Sequence, residues 1–277
     1  MNERDWSTGT FPVRELYVWR SQALFGIQAR DRVLNRTVAE GLSVMLYDTS
    51  TGAAPLSLQP NGDGIFVIHR LPDGSTPASL SAGAPYCLEL RDRHGRYLPM
   101  RYPLGPLKAG DVINLELYSA PGHALPAGVA VLRAQFEEAV TGAPAAFAVA
   151  EVTLPGRQTV GGKPWVWQGV ADQRGVMALP FPYPPVVRTL VDRVEQNSLR
   201  SGWTMQFEVH YGAVRPTVYG DPPAASREQL LAQGRGSIAT GSSAFASTIP
   251  FTLNFGQEVI LSPTGTRGER IRIRPAT

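Results

Sequence analysis

Residues 61–69 read NGDGIFVIH, and this stretch decides the fold class. The Asn-Gly and Asp-Gly pairs at 61–64 favour a tight hairpin turn, because these residue types tolerate positive φ. The residues that follow, IFVIH, are mostly β-branched or aromatic, as is typical of a strand. The stretch therefore predicts a hairpin turn that leads into an apolar strand.

Short apolar segments of the same kind recur on both sides of this turn. ALFGIQA (23–29) and LSVMLY (42–47) precede it, and YCLEL (86–90) and VINLELY (112–118) follow it. A further strand is predicted at 13–18. Gly and Pro account for 28 and 24 of the 277 residues, which disfavours long helices. Strands at this spacing, separated by turn residues, indicate an antiparallel β-sandwich over residues 1–120.

A second series of strands follows a linker at 121–127. Strand patterns occur at 128–134, 145–154, 165–171, 175–181, 186–191 and 203–211. In both halves a polar turn with glycine precedes an apolar strand and then a proline, which suggests a loose internal repeat. The sequence therefore predicts an all-β protein with two tandem antiparallel β-sandwich domains, Ig-like or transthyretin-like, the second over 128–219.

Residues 220–277 have a different pattern and form a C-terminal extension. Ser226 is a candidate N-cap for a short helix over 228–233, which Gly234 ends. Strand candidates follow at 249–255, 258–261 and 269–273. The extension either completes the second domain or contacts a partner.

The first half resembles a known family through three motifs. They are the turn and strand at 61–66, the Leu-Pro-Asp-Gly sequence at 71–74, and the strand that begins with Tyr86. The pattern is similar to that of carboxypeptidase regulatory-like (transthyretin-like) β-sandwich domains. The resemblance implies a non-catalytic adhesive, structural or interaction module.

The arrangement of the whole chain also resembles subunits of phage-tail-like contractile injection particles. The similarity lies in two sandwiches followed by a helix, the sequence FGQE at 255–258 and a basic last strand. It implies a structural component of such an assembly.

Local motifs for catalysis or metal binding are absent from the sequence. There is no Gly-x-Ser-x-Gly, no phosphate-binding loop and no dinucleotide-binding glycine motif. The four histidines (His69, His94, His123 and His210) are never two to four residues apart, so no pair of them forms a local metal site. Cys87 is the only cysteine, which excludes an internal disulfide. We expect no enzymatic activity, no cofactor and no metal, although distant residues can still converge in the fold.

Aromatic residues are candidates for an interaction surface. Trp165 and Trp167 share one face of a predicted strand, where they either form a stacking platform for a sugar or protein or cover the sandwich core. Tyr97, Tyr102 and the PFPYPP sequence at 180–185 are expected to add exposed aromatic and proline surface.

Arginines are the second set of candidates. The net charge is +3, and all but two of the 26 basic residues are arginine. Arg270, Arg272 and Arg274 alternate with two isoleucines, which places the three on one face of a strand. This face is either simply solvated or binds an anionic partner surface. The other arginines are scattered along the chain, so no specific nucleic-acid binding is expected.

These observations predict a non-catalytic structural subunit that binds other protein subunits. A phage-tail-like contractile particle is the expected assembly. The alternative is a carbohydrate- or cell-surface-binding module that uses Trp165 and Trp167. There is no apolar run of 18 residues, so we expect no membrane span. There is no secretory signal at the N-terminus, so we expect a cytoplasmic protein. A phage-tail-like particle could then carry it out of the cell.

Overall fold

The computed structural model describes residues 23–77, 79–158, 164–184, 202–213, 215–240, 244–262 and 269–276. These residues form an all-β fold with one short helix, as the sequence predicts. The strands form two β-sandwiches in which most strand pairs are antiparallel. The strands predicted at 13–18 and 186–191 lie outside the described residues. In the described part of the chain, no helix has the length and apolar character needed to cross a membrane.

Ten strands precede the linker in the described residues: β1 (Phe25–Asp31), β2 (Arg36–Thr37), β3 (Leu42–Asp48), β4 (Leu56–Leu58), β5 (Phe66–Ile68), β6 (Ser79–Leu80), β7 (Tyr86–Asp92), β8 (Met100–Pro103), β9 (Leu107–Lys108) and β10 (Val112–Glu116).

The described residues after the linker form β11 (Val129–Glu138), β12 (Val149–Gln158), β13 (Pro164–Val170), β14 (Val176–Pro182), β15 (Gly202–His210), β16 (Val218–Tyr219), β17 (Ala224–Ser226), α1 (Arg227–Leu231), β18 (Ser237–Ala239), β19 (Phe245–Ala246), β20 (Thr248–Asn254), β21 (Val259–Ile260) and β22 (Ile271–Arg274).

The first sandwich packs a four-stranded sheet against a six-stranded sheet. In the smaller sheet, β1 pairs with β10 in parallel and with β2 and β5 in antiparallel fashion. The larger sheet has the order β16-β17-β8-β7-β3-β4. Alternate residues of β3 are buried, as its apolar periodicity predicts. These inward side chains form a core that includes Phe25, Phe66 and Leu46, all fully buried.

The turn at 61–64 forms as predicted, but it connects the two sheets of this sandwich. The Asn61 Oδ1 atom accepts hydrogen bonds from the backbone N–H groups of Asp63 and Ile65, and Gly64 has a φ of 76°. The strands on either side then separate, since β4 pairs with β3 and β5 pairs with β1. The predicted hairpin turn is therefore present, with an antiparallel bridge between Pro60 and Phe66, although β4 and β5 have their main partners in different sheets.

The second sandwich also has a four-stranded and a six-stranded sheet. The smaller sheet has the order β13-β12-β15-β20, with antiparallel pairs throughout. The larger sheet has the order β14-β11-β22-β18-β19, and β21 also pairs with β11. β22 lies inside this sheet, parallel to β11 and antiparallel to β18.

The C-terminal extension is divided between the two sandwiches. β17 pairs in parallel with β8, which adds β16 and β17 to the first sandwich. Leu230 of α1 is fully buried in the core of the first sandwich. β18 to β22 belong to the second sandwich. The extension thus does not simply complete the second domain, while the boundaries at 120 and 128 stay predictions.

Candidate interaction surface

Three arginines form an exposed row, which we call the arginine ladder: Arg270, Arg272 and Arg274. Arg272 and Arg274 are exposed on β22, and Arg270 is exposed just before it. The intervening Ile271 and Ile273 are 1% and 0% exposed, so the predicted alternation is confirmed. Because residues two apart in a strand are roughly 6.6 Å apart, the ladder spans about 13 Å.

Each arginine of the ladder contacts a neighbour among the described residues of the second sandwich. Arg270 forms a long ion pair with Glu137 at 3.6 Å, and Arg272 donates a hydrogen bond to the backbone carbonyl of Ala139 at 2.9 Å. The Arg274 guanidinium lies 3.8 Å from the ring centroid of Phe245. A guanidinium carries five N–H donors, so these contacts fix the side chains and leave most donors for a partner.

Trp165 and Trp167 lie on the core side of β13. Trp165 is 6% exposed and packs edge to face on Phe181, with the ring centroids 5.7 Å apart. Trp167 is half-buried, and the Arg32 guanidinium lies 4.7 Å from its ring centroid. Of the two alternatives for this pair, the structure supports the core. Trp165 is part of the core, and the Arg32 guanidinium lies over the Trp167 ring, so the two rings do not form an open platform together.

The expectation that Tyr97 and Tyr102 are exposed is wrong, since they are 2% and 4% exposed. The Tyr97 hydroxyl donates to Asp31 Oδ2 at 2.7 Å, and the Tyr102 hydroxyl donates to the Glu116 carbonyl at 2.6 Å. Burial raises the pKa of both phenols well above the usual value. Their hydroxyl groups find acceptors inside the first sandwich, which allows the rings to join its core.

The 180–185 segment is also less exposed than predicted. Phe181 is fully buried, and Pro180 and Pro184 are buried as well, whereas Pro182 and Tyr183 are half-buried. Phe181 points into the core, and Pro180 lines a small gap with Arg32 and Val33 of the first sandwich. Residue 185 lies outside the described residues.

An aromatic cluster that the sequence patterns did not reveal lies at one end of the second sandwich. Tyr183, Trp203 and Phe255 come from three separate segments. The Tyr183 ring centroid is 5.8 Å from that of Trp203 and 4.7 Å from that of Phe255. Phe255 is 64% exposed. The cluster offers aromatic surface that Trp165 and Trp167 do not.

A cavity of about 260 Å³ lies between the sandwiches. Its apolar lining includes Met100 of the first sandwich, Phe147 and Val170 of the second, and the prolines that precede β17. The ion-paired Asp172 and Arg174 also line it. The cavity can admit a small apolar group, and it holds no cluster of reactive side chains among the described residues.

Only one group of side chains in the described residues has metal-ligand character, and it consists of Glu151, Glu208 and His210. Sequence reasoning missed it because it considered spacings between histidines and not the Glu-x-His spacing at 208–210. Cys87 is half-buried, and burial raises the pKa of its thiol, which disfavours the reactive thiolate.

Comparisons with known proteins give no family. No family model matches the sequence, and no curated protein matches it. The resemblance to carboxypeptidase regulatory-like domains therefore rests on the sequence motifs alone.

Several solved structures have a distant likeness to the chain. The TIE protein of Bacillus anthracis is 10% identical over 93% of this chain, with a TM-score of 0.24, and the match spans 35% of the TIE chain, about a third of its length. A shaft pilin SpaA variant of Lactobacillus rhamnosus GG is 7% identical over 91% of this chain and 98% of its own, with a TM-score of 0.23.

A protein of Bacteroides uniformis, described as a putative carbohydrate binding protein, is 10% identical over 83% of this chain and 100% of its own, with a TM-score of 0.24. At TM-scores this low, no conclusion about function follows from any of the three.

Proposed function

We propose that this chain is a non-catalytic structural subunit whose surface binds other proteins of an assembly. The observation that carries the proposal is the arginine ladder. Arg272 and Arg274 lie on β22, which is an interior strand of a six-stranded sheet, and Arg270 lies just before it. The isoleucines between the arginines are buried in the core. A fixed row of cations on a sheet face suits a complementary row of carboxylates on a partner protein.

The side chains that catalysis would need are engaged in structural contacts. Ser119 Oγ lies 3.1 Å from His123 Nδ1, which is a nucleophile–base distance. His123 is only 5% exposed, however, and its ring packs against Tyr97. Asp31, the nearby carboxylate, accepts from the Tyr97 hydroxyl. This arrangement favours a structural role for the group.

Two sheet edges of the second sandwich are protected by prolines. β14 and β20 are edge strands, and they carry Pro180, Pro182 and Pro250. Proline has no N–H group for a new ladder and protects an edge against strand addition. We therefore propose that the partner docks on the arginine ladder and adds no strand at these edges.

We further propose which assembly the chain belongs to. The sequence resemblance points to a phage-tail-like contractile particle, assembled in the cytoplasm and carried out of the cell. None of the three structures compared above comes from such a particle. Co-expression with the products of neighbouring genes, followed by electron microscopy of the purified material, tests this assignment.

Charge removal on the ladder tests the binding surface. The variant Arg270→Gln/Arg272→Gln/Arg274→Gln should lose at least tenfold in affinity for the subunit that co-purifies with the wild-type chain. A matched control replaces three exposed arginines away from the ladder by glutamine: Arg70, Arg93 and Arg174. The proposal fails if the wild-type chain stays monomeric when it is co-expressed with the products of the neighbouring genes. It also fails if both triple variants bind the partner subunit equally well.

Carbohydrate or cell-surface binding is the second candidate function, and the cluster of Tyr183, Trp203 and Phe255 favours it. An exposed ring such as Phe255 can stack on the apolar face of a sugar. A glycan array would show binding that Phe255→Ala weakens, whereas Trp167→Ala would leave it unchanged because that ring is already covered by Arg32. Absence of binding to every glycan eliminates this candidate.

A further inference from the structure

Glu151, Glu208 and His210 converge on the outer face of the smaller sheet of the second sandwich. Glu151 on β12 pairs directly with Glu208 on β15, and His210 lies two residues further along β15, on the same face. One ligand atom from each residue lies within 4.8 Å of the other two. No catalytic or assembly role proposed above uses these three residues.

Two features of this cluster favour a metal ion among the three side chains. The buried Nε2 atom of His210 has no hydrogen-bond partner in the described part of the chain. An unsatisfied buried polar atom costs about 1–3 kcal/mol. Glu208 is only 8% exposed and faces Glu151 directly, so two like charges stand opposite each other in the sheet. Arg235 already pairs with Glu208, and an ion held by all three side chains would in addition give the His210 ring a partner.

From this geometry we propose that the cluster binds a divalent transition-metal ion, of which Zn²⁺ is the representative probe. One imidazole nitrogen and two carboxylate oxygens are a ligand set that suits such ions, whereas Mg²⁺ and Ca²⁺ prefer oxygen ligands alone. Ligands at about 2.1 Å from one ion are at most roughly 4.2 Å apart. The observed spacing therefore needs only a small closure of side chains.

Neighbouring side chains already orient the two carboxylates. The Gln168 Nε2 group donates to Glu151 Oε2 at 3.1 Å, and the Thr248 hydroxyl donates to Glu208 Oε1 at 3.0 Å. Such contacts fix the direction of metal ligands in known sites. The other oxygen of Glu208, Oε2, pairs with Arg235.

Arg235 is the competitor of the metal ion. Its Nη2 atom lies 2.6 Å from Glu208 Oε2, and 54% of its side chain is exposed. The guanidinium can therefore move into solvent when a dication takes its place. The ion and Arg235 compete for the same carboxylate, so removal of the arginine should strengthen metal binding. A surface histidine that binds metal by chance would not depend on Arg235.

Calorimetric titration of the full chain with ZnCl₂, in a Cys87→Ser background that removes the only thiol, tests the site. We expect one Zn²⁺ per chain and no binding of MgCl₂ at equal concentration. Glu208→Gln and His210→Gln should each weaken Zn²⁺ binding at least tenfold, and Arg235→Gln should strengthen it at least threefold. His94→Gln and Glu137→Gln are the controls and should change nothing.

Two outcomes would overturn the proposal. One is the absence of a stoichiometric Zn²⁺ site, and the other is unchanged binding in Glu208→Gln and His210→Gln. If circular dichroism shows that either variant is unfolded, the half-buried Glu151→Gln carries the test. X-ray absorption of the Zn²⁺-loaded chain adds an independent measurement, with one nitrogen from imidazole and oxygen ligands expected in the spectrum.

Discussion

At the scale of single residues, Glu89 joins two arginines of the first sandwich to the C-terminal segment. Glu89 lies on β7 with 5% of its side chain exposed, and it forms ion pairs with Arg91 at 2.6 Å and Arg101 at 2.7 Å. Arg91 also donates to the Tyr219 carbonyl, and the Arg101 guanidinium lies 3.7 Å from the Tyr219 ring centroid. The carboxylate thereby positions both contacts to β16.

Replacement of this carboxylate is expected to destabilise the protein. Glu89→Ala leaves two partly buried arginines without a counter-charge and should lower the free energy of unfolding by about 2–4 kcal/mol. Urea denaturation measures the change. Glu40→Ala, which removes an exposed carboxylate of the same sandwich, should change it by less than about 0.5 kcal/mol. A loss below about 1 kcal/mol in Glu89→Ala would show that the triad contributes little.

His123 makes stability depend on pH. Burial lowers the pKa of its imidazole below the usual 6.5, so the unfolded chain binds a proton more readily than the folded chain. The stabilising contribution of the neutral imidazole is thus present above pH 6.5 and is lost as the pH falls toward the folded-state pKa. We expect the Tm to decrease between pH 7 and pH 5, and to decrease less in His123→Gln. Equal slopes for the two proteins would contradict this assignment.

Sequence patterns predicted some residue positions and missed others for a physical reason. The arginine ladder was predictable, because strict alternation with two isoleucines leaves only one face for the charges. The burial of Tyr97 was not predictable, because its hydroxyl donates a hydrogen bond to Asp31, which is 66 residues away. The pairing of Glu151 with Glu208 likewise depends on the register of β12 and β15, which no local pattern specifies.

At the scale of elements, α1 is a helix of five residues with one fully buried side chain. Leu230 is fully buried in the first sandwich, whereas the adjacent Leu231 is 40% exposed. The predicted N-cap Ser226 makes no side-chain capping bond, so the helix gains little from its N-terminus. Packing of Leu230 therefore anchors α1, together with the ion pair of Arg227 with Glu116 and the hydrogen bond that Gln229 accepts from the backbone of Thr217.

Paired substitutions in this helix separate packing from helix propensity. Leu230→Ala should lower the free energy of unfolding by about 2–5 kcal/mol, because it leaves a cavity in the core of the first sandwich. Leu231→Ala changes the same residue type in the same helix and should cost less than about 1 kcal/mol. Denaturant titration of both variants measures the difference. Similar losses for both would show that α1 is not anchored through Leu230.

The existence of elements was easier to predict than their partners. The strands around residues 42–47, 86–90 and 203–211 form as predicted, because their apolar periodicity is local. Their pairing is not local. β17 joins β8 across more than a hundred residues, and beyond the hairpin turn at 61–64 the two strands diverge into different sheets. Turn chemistry specifies the bend, whereas burial selects the partner strand.

At the scale of the whole molecule, the two sandwiches share contacts that should couple their unfolding. Val149 and Val170 of the second sandwich pack in the core of the first. The Arg32 guanidinium of the first sandwich covers Trp167 of the second. Gln233, just after α1, donates to the Phe147 carbonyl at 2.9 Å. The chain also crosses between the sandwiches three times: through the linker, between β15 and β16, and after α1.

Tryptophan fluorescence can measure this coupling, because the described tryptophans (Trp165, Trp167 and Trp203) all belong to the second sandwich. In a Trp6→Phe/Trp19→Phe background, Leu46→Ala damages only the first sandwich, where Leu46 is fully buried. If unfolding is coupled, Leu46→Ala should lower the free energy of unfolding by about 2–5 kcal/mol. Tryptophan emission and far-ultraviolet circular dichroism should then report the same loss. The exposed Ser57→Ala on β4 serves as the control. A tryptophan transition that Leu46→Ala leaves unchanged would mean that the sandwiches unfold independently, since the contacts between them would then be too weak to transmit the loss.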